Sequence, residues 1–212
     1  MLIFSLSIFA LSTYAWFTYI NTSSFLGEVG FVSVDIDAYF DDGNGGRIEA
    51  SEVSVGPSTT KTGVYSINII SNASTNYFED FRMNVLVYSN VYTYIRVKIY
   101  EQLTLTYTNF EGIVTELSIL NDEYMPFNYN LTEWYDNRDV DNYIYFMVPT
   151  MRIDESTSAI LTLITTYFSG QNFSNYSPGY SLQIAFSVEA VQAHLGPENV
   201  WGLATPPWGG TW

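Results

Sequence analysis

The chain has 212 residues, with 7 Lys+Arg against 22 Asp+Glu for a formal net charge of −15, one His and no Cys. That excludes a disulfide framework, a zinc–thiolate site and a thiol nucleophile, and it argues against a nucleic-acid partner, whose phosphates need clustered Lys and Arg. At 47% hydrophobic and 17% aromatic the chain is too apolar for disorder, long enough for one large domain, and poor enough in charge to suggest a secreted β protein rather than an enzyme.

Met1 to Phe25 carries no charge, the first charged residue being Glu28. Met1–Ile20 is just long enough to span a membrane, but a shorter apolar core ending in Thr13-Tyr14-Ala15 reads better as a signal peptide cleaved between Ala15 and Trp16. A retained anchor and a buried strand are the competing readings. All three place the remainder outside the cytoplasm or against a membrane. The basic residues usual before such a core are missing, which points to a start upstream of Met1.

From Val29 the hydrophobic period is two, the mark of half-buried strands. Val32, Val34, Ile36, Ala38 and Phe40 form one face, and Asp41-Asp42-Gly43-Asn44-Gly45-Gly46 follows with the dipeptides of a hairpin turn. Phe81 to Val87 alternates again, Ser89-Asn90 reads as a turn, and Val91 to Tyr100 forms another strand. Its outer face carries Tyr92, Tyr94, Arg96, Lys98 and Tyr100, a candidate binding face whose simpler reading is tyrosines packed along basic stems. Weaker strands are predicted at Ile113–Leu120, Tyr143–Val148 and Ala159–Phe168, a short helix is open near Thr132–Asn137, and Leu182 to Ala190 is the last strand. After Gln192 the composition shifts to a Gly/Pro tail with Trp201, Trp208 and Trp212, read either as rings laid over the domain or as a sticky segment for a neighbouring subunit.

Eight or nine strands without a repeat or internal linker predict an all-β fold, a single jelly-roll-like antiparallel β-sandwich preceded by a hydrophobic signal or anchor segment. The expected divisions are 1–15 signal peptide, 16–28 extended segment, 29–195 sandwich and 196–212 tail.

Both ends resemble the TasA/camelysin family. Thr13-Tyr14-Ala15-Trp16-Phe17-Thr18 looks like its signal-peptide junction, which a SipW-type peptidase processes. Gly30 to Ile36 is similar to the entry into its first strand, and Tyr180 to Gln192 to its last, with Ser–aliphatic–x–Phe–x–aromatic–Glu–Ala–x–Gln as the pattern. The resemblance covers about a quarter of the chain by motif. It implies an extracellular or cell-surface jelly-roll subunit of a biofilm matrix fibre, partnered by itself and by an accessory fibre protein. A freed N-terminal strand (here Trp16, Phe17, Tyr19 and Ile20) would be donated to the next subunit, and the membrane is involved only during export or anchoring.

Camelysin has been grouped with metallopeptidases, yet the chain holds no H-E-x-x-H motif, and one His, His194, cannot supply the two-His set of such zinc sites. No G-x-S-x-G elbow is present either, so a secreted hydrolase is the third reading, after a monomeric surface module that binds carbohydrate or another surface partner. Calcium is the one cofactor for which there are candidates: Asp136, Asp139 and Asp141 on a predicted loop, and Asp41 and Asp42 on a turn. Neither has EF-hand spacing, and turn chemistry explains both. Five N-x-Ser/Thr sequons occur, at Asn21, Asn72, Asn130, Asn172 and Asn175, where the Asn, Ser and Thr content produces about 3 by chance, so their number says little about glycosylation.

Overall fold

The structure, a computed structural model, describes residues 30–54, 60–70, 74–108, 114–119, 125, 127–152, 158–165 and 180–212. The cleavage step at Ala15–Trp16 and the donor residues Trp16, Phe17, Tyr19 and Ile20 lie outside the described residues, as do the sequons at Asn21, Asn72, Asn172 and Asn175.

The fold is all-β. Strand β1 (Val32–Asp41) turns into β2 (Arg47–Glu49), followed by β3 (Glu52–Ser54) and β4 (Thr60–Asn68). A 3-10 turn at Phe78–Asp80 leads into β5 (Phe81–Thr108), then β6 (Val114–Ile119), β7 (Trp134–Asp136), a one-turn helix α1 (Arg138–Asp141), β8 (Ile144–Phe146), β9 (Thr150–Arg152), β10 (Ala159–Ile164), β11 (Tyr180–Gln192) and α2 (Gly196–Val200). The named strands pair antiparallel, and the main path through the sheet runs β2-β1-β5-β11-β4-β3.

The organising element is β5, 28 residues long. At about 3.3 Å per residue it would measure about 90 Å if straight, roughly twice the width of a domain of this size, so it has to bend. Its first part, Phe81–Ser89, lies between β1 and β10; its second pairs with β11 from Thr93 to Leu105 and, on the other side, with β8 and β6. Between them the register against β9 shifts, from Ser89↔Arg152 to Thr93↔Thr150.

This corrects the reading of Ser89-Asn90 as a turn: the chain bends there without leaving the sheet. The physical reason is a fully buried polar pair. Ser89 and Thr93 have no exposed surface, their hydroxyls lie 2.9 Å apart, and Ser89 Oγ and Thr93 Oγ1 donate to the Val91 carbonyl at 2.6 and 2.9 Å. The hydroxyls thereby supply partners for backbone that the irregular ladder leaves over. Thr93→Val keeps the volume and loses the hydroxyl; a loss of about 1 kcal/mol in urea unfolding is expected, and no change would mean that the bend is held by the flanking ladders alone.

Period-two faces put Phe40, Met83, Val85, Ile95, Val97, Leu182 and Ile184 into one core, joined by Ile67, Ile144, Trp134 and Leu163. Trp134 is 1% exposed and its indole N–H donates to the Thr162 carbonyl at 3.0 Å, so the largest core side chain is also satisfied. The hairpin at Asp41–Gly46 forms as expected, with Asp41 opposite Arg47. Two other readings are corrected. Trp134–Asp136 is strand where a helix was open, because Trp134 must point inward, and the helical turn comes later at Arg138–Asp141. The strand predicted at Tyr143–Val148 is confined to Ile144–Phe146. In the tail, Gly196 starts the short helix α2 with Pro197 in its first turn, and Gly202, at φ 72, follows its end. Strands β3, β4 and β9 were not anticipated.

Candidate functional site

Two features stand out on the surface of this fold. The first is the outer flank of β1. Its inner flank pairs with β5 from Val32 to Phe40, but β2 covers only Tyr39 to Asp41 on the other side. The Phe31 carbonyl accepts from the Asn90 N–H on the β5 side, while the Ala38 carbonyl accepts from Ala50 on the other. In an antiparallel ladder this alternation turns the backbone groups of Val32, Val34 and Ile36 away from β5. Among the described residues no strand covers that flank from Val32 to Asp37. The same even-numbered residues point their side chains inward, and Val34 and Ile36 are only half-buried against the core. Phe31, 37% exposed, lies on the opposite, outer face, its ring 5.0 Å from that of Tyr88.

The flank is not bare. Asp35 Oδ1 accepts the Ile36 N–H at 2.8 Å, capping a donor that a further strand would need. Asp37, on the outer face, is held by the Arg47 guanidinium and by the Asn84 amide at 3.0 Å. Hydrogen bonding from Arg47 outweighs partial burial and keeps the Asp37 carboxyl below the usual carboxylate range. Arg47 also grips Glu49 and lies 4.2 Å from the Tyr39 ring centre, so one side chain ties β2 to β1.

The second feature is the tail. Its tryptophans lie over the face that carries Tyr92, Tyr94, Arg96, Lys98 and Tyr100. Tyr94 meets Trp212 at 4.9 Å and Trp208 at 6.3 Å and is 6% exposed. The Arg96 guanidinium sits 3.8 Å from the Tyr143 ring centre and 4.6 Å from that of Trp201. Its Nε and Nη2 donate to Glu189 Oε2 at 3.0 and 2.7 Å, and the Tyr143 hydroxyl donates to Glu189 Oε1 at 2.7 Å. Tyr145 carries the chain onward, donating to Asp141 at 2.6 Å while its ring meets Trp201 and Trp208. Trp208 and Trp212 meet edge to face at 5.4 Å, and Trp212 Nε1 donates to the Leu203 carbonyl at 2.9 Å. The candidate binding face is thereby divided: Tyr94 and Arg96 are covered, while Tyr92 and Tyr100 are 57% and 52% exposed and the Lys98 ammonium lies 5.1 Å from the Tyr100 ring centre. Burial and the bond to Glu189 push the Tyr143 phenol up to about 12, so it stays a donor at neutral pH.

A third group is internal. Glu101 on β5 accepts the Met125 N–H through Oε2 at 2.6 Å, while its buried Oε1 has no hydrogen-bond partner among the described residues. Burial pushes its carboxyl up to about 7. Nearby, Arg138 donates to both oxygens of Asp136 and to the Tyr129 hydroxyl at 3.1 Å.

The calcium candidates are placed apart and otherwise engaged. Both Asp136 oxygens take Arg138, Asp141 Oδ1 accepts the Tyr143 N–H and its Oδ2 the Tyr145 hydroxyl, and Asp139 is exposed. Asp41 caps Gly43 N–H, and Asp42 caps Asn44 and Gly46 N–H, each at 2.8 Å. Among the described residues no group of three or more His, Cys, Asp or Glu side chains converges to hold a metal. His194 is exposed just beyond β11. Of the sequons, Asn130 is described, and its amide nitrogen donates to Glu133 Oε2 at 2.7 Å. No helix among the described residues is long and apolar enough to cross a membrane.

The sequence singled out Arg96 but not its partners. Glu189 and Tyr143 reach Arg96 only through the pairing of Glu189 with Arg96 on neighbouring strands and of β8 with β5; the outward parity of Glu189 on the last strand was the available signal. Comparison of the chain with family models, with characterised proteins and with solved structures found no match.

Proposed function

We propose that this protein is a secreted structural subunit of an extracellular fibre, a jelly-roll-type sandwich that takes an extended strand from a second copy of itself along the outer flank of β1. The observation that carries this reading is the run from Val32 to Asp37, where outward backbone groups and half-buried Val34 and Ile36 lie together beside a lane that no strand among the described residues covers. An added strand would satisfy those groups and cover those side chains at once. The apolar, aromatic segment Trp16–Phe25, freed by cleavage after Ala15, is the proposed donor. Burying two or three of Trp16, Phe17, Tyr19 and Ile20 contributes roughly 1.5–3 kcal/mol per large side chain before ordering costs. The resemblance to the TasA/camelysin family supports the same reading. The covering of Tyr94 and Arg96 by the tail counts against the monomeric binding module, which keeps only Tyr92, Lys98 and Tyr100 as open surface.

Electron microscopy of chains starting at Trp16 and at Gly27 tests this. Fibres are expected from the first and not from the second. Equal fibre formation by the Gly27 chain would remove the donor. Asp35→Ala frees the Ile36 N–H and strips one charge from the lane; in the chain starting at Trp16 it should shorten the lag before fibre growth. An unchanged lag would mean that β1 is not the accepting edge.

A further inference from the structure

We propose that Asn44 is a site of spontaneous modification, losing its side-chain amide to attack by the Gly45 backbone nitrogen and leaving aspartate or isoaspartate in the turn that closes β2 onto β1. The sequence contains one Asn-Gly step, and it falls here, with both residues exposed. Gly45 lies at φ +84 with open space where a Cβ would stand, so nothing crowds its nitrogen. The hydrogen bonding singles out the same atom. Asp41 and Asp42 carboxylates hold the N–H groups of Gly43, Asn44 and Gly46, whereas the Gly45 N–H donates to no acceptor among the described residues. Asn44 Nδ2 donates to the Asp42 carbonyl at 3.2 Å from an exposed position, from which ammonia can leave. Two other described asparagines are less favourable: Asn84 and Asn90 precede Val85 and Val91, whose branched side chains crowd the attacking nitrogen, and Asn84 is itself buried.

The step balances with water alone. The Gly45 nitrogen gives up its proton and bonds to Asn44 Cγ; the Cγ–Nδ2 bond breaks, and Nδ2 departs as ammonia, leaving a five-membered imide. Water then opens the ring. Addition at Cγ restores the backbone with an aspartate, and addition at the Asn44 carbonyl carbon reroutes the chain through Cβ and Cγ as isoaspartate. Either product adds one charge, taking the net charge from −15 to −15 − 1 = −16, beside Asp41 and Asp42.

The isoaspartyl product also lengthens the backbone of a turn closed by Asp42 N–H to the Gly46 carbonyl at 3.2 Å. The strand behind it, β2, has three residues, all exposed. A three-pair ladder, the Ala50 N–H to Ala38 carbonyl bond, this turn and the Arg47 clamp keep it on β1, so ageing of Asn44 loosens β2 from its turn end and extends the open flank toward Asp41.

The test is incubation of the full chain at mildly alkaline pH, read by peptide mass mapping and amide hydrogen exchange, with Asn44→Gln alongside. The Asn44 peptide is expected to exchange NH for O before any other asparagine peptide and to split into two isomers. Asn44→Gln should show neither change, and exchange at Ile48 to Ala50 should accelerate only in aged wild type. Modification appearing first elsewhere, or equal ageing of the two proteins, overturns the site. A modified Asn44 with unchanged exchange overturns the loosening of β2.

Discussion

Trp201→Ala should destabilise the folded chain by about 3 kcal/mol, within the range for truncating a large packed aromatic side chain. The ring is one wall of the Arg96 site, 4.6 Å from the guanidinium, and it also meets Tyr145 and Trp212 edge to face at 5.9 and 6.4 Å. Removing it deletes a cation–π contact, opens the Arg96–Glu189 pair to water and detaches the tail from the sheet. For a chain of this length the loss corresponds to a melting temperature lower by roughly 6–12 °C. Trp201→Phe keeps a ring over Arg96 and should recover part of the difference. Urea unfolding followed by fluorescence gives the value. A loss below about 1 kcal/mol would show that the tail lies on the sheet without holding it, and would return it to the role of a segment for a neighbouring subunit.

Glu101→Gln should make the protein more stable above neutral pH and change little in acid. The wild-type carboxyl has an ordinary value of 4.5 and is pushed up to about 7 in the fold, because burial disfavours its charge more than the Met125 N–H and the Arg138 charge favour it. Below pH 4.5 the group is protonated in both folded and unfolded chains, and stability is complete. As pH rises from there through 7, the unfolded chain gives up its proton while the folded one retains it, so stability is progressively lost and then levels off. A difference of 7 − 4.5 = 2.5 corresponds to about 3 kcal/mol, reading one such step as 1.36 kcal/mol. Glutamine keeps an acceptor for the Met125 N–H and has no proton to lose. Thermal unfolding of the two proteins at pH 4 and pH 8 checks this. Parallel melting temperatures at both would mean that the carboxyl is hydrated in the fold and that the buried Oε1 is not the source of any pH dependence.

The strand faces were legible because alternation is a local property. Val32 to Phe40, Val91 to Ile99 and Leu182 to Val188 each show an apolar side every second residue, and each such side is turned toward the core. The Asp41–Gly46 turn was equally local, since Asp-Gly and Asn-Gly tolerate positive φ and Gly43 and Gly45 adopt it. Packing of the tail's tryptophans over the domain was one of two readings open from their composition. The structure selects it, because Tyr94 and Tyr145 present rings that the tryptophans can meet.

Where the sequence misled, the cause was a polar residue read by its usual habit. Ser89 and Asn90 look like a turn, yet the buried Ser89 and Thr93 hydroxyls both donate to the Val91 carbonyl inside the sheet and let one strand bend. Asp136 and Asp141 read first as turn residues and second as calcium candidates; their oxygens take Arg138, Tyr143 and Tyr145, partners that the sequence did not name. Thr60–Asn68 carries too little alternation to declare itself, and β4 becomes a strand because β11 offers it a partner from Val64 to Asn68.

The amino-acid order by itself therefore determined the class of the fold, the inward faces of its longest strands, the place of its tightest hairpin and the polar, weakly charged character of its surface, all of which depend on neighbours a few residues apart. The tertiary structure alone decided that β5 is continuous through its bend, that Glu189 and Tyr143 enclose Arg96, and that, among the described residues, Glu101 Oε1 is buried without a partner and no strand covers the outer flank of β1 from Val32 to Asp37. Those depend on which strands become neighbours across tens of residues, and strand pairing is chosen by the burial of the whole core rather than by any local pattern.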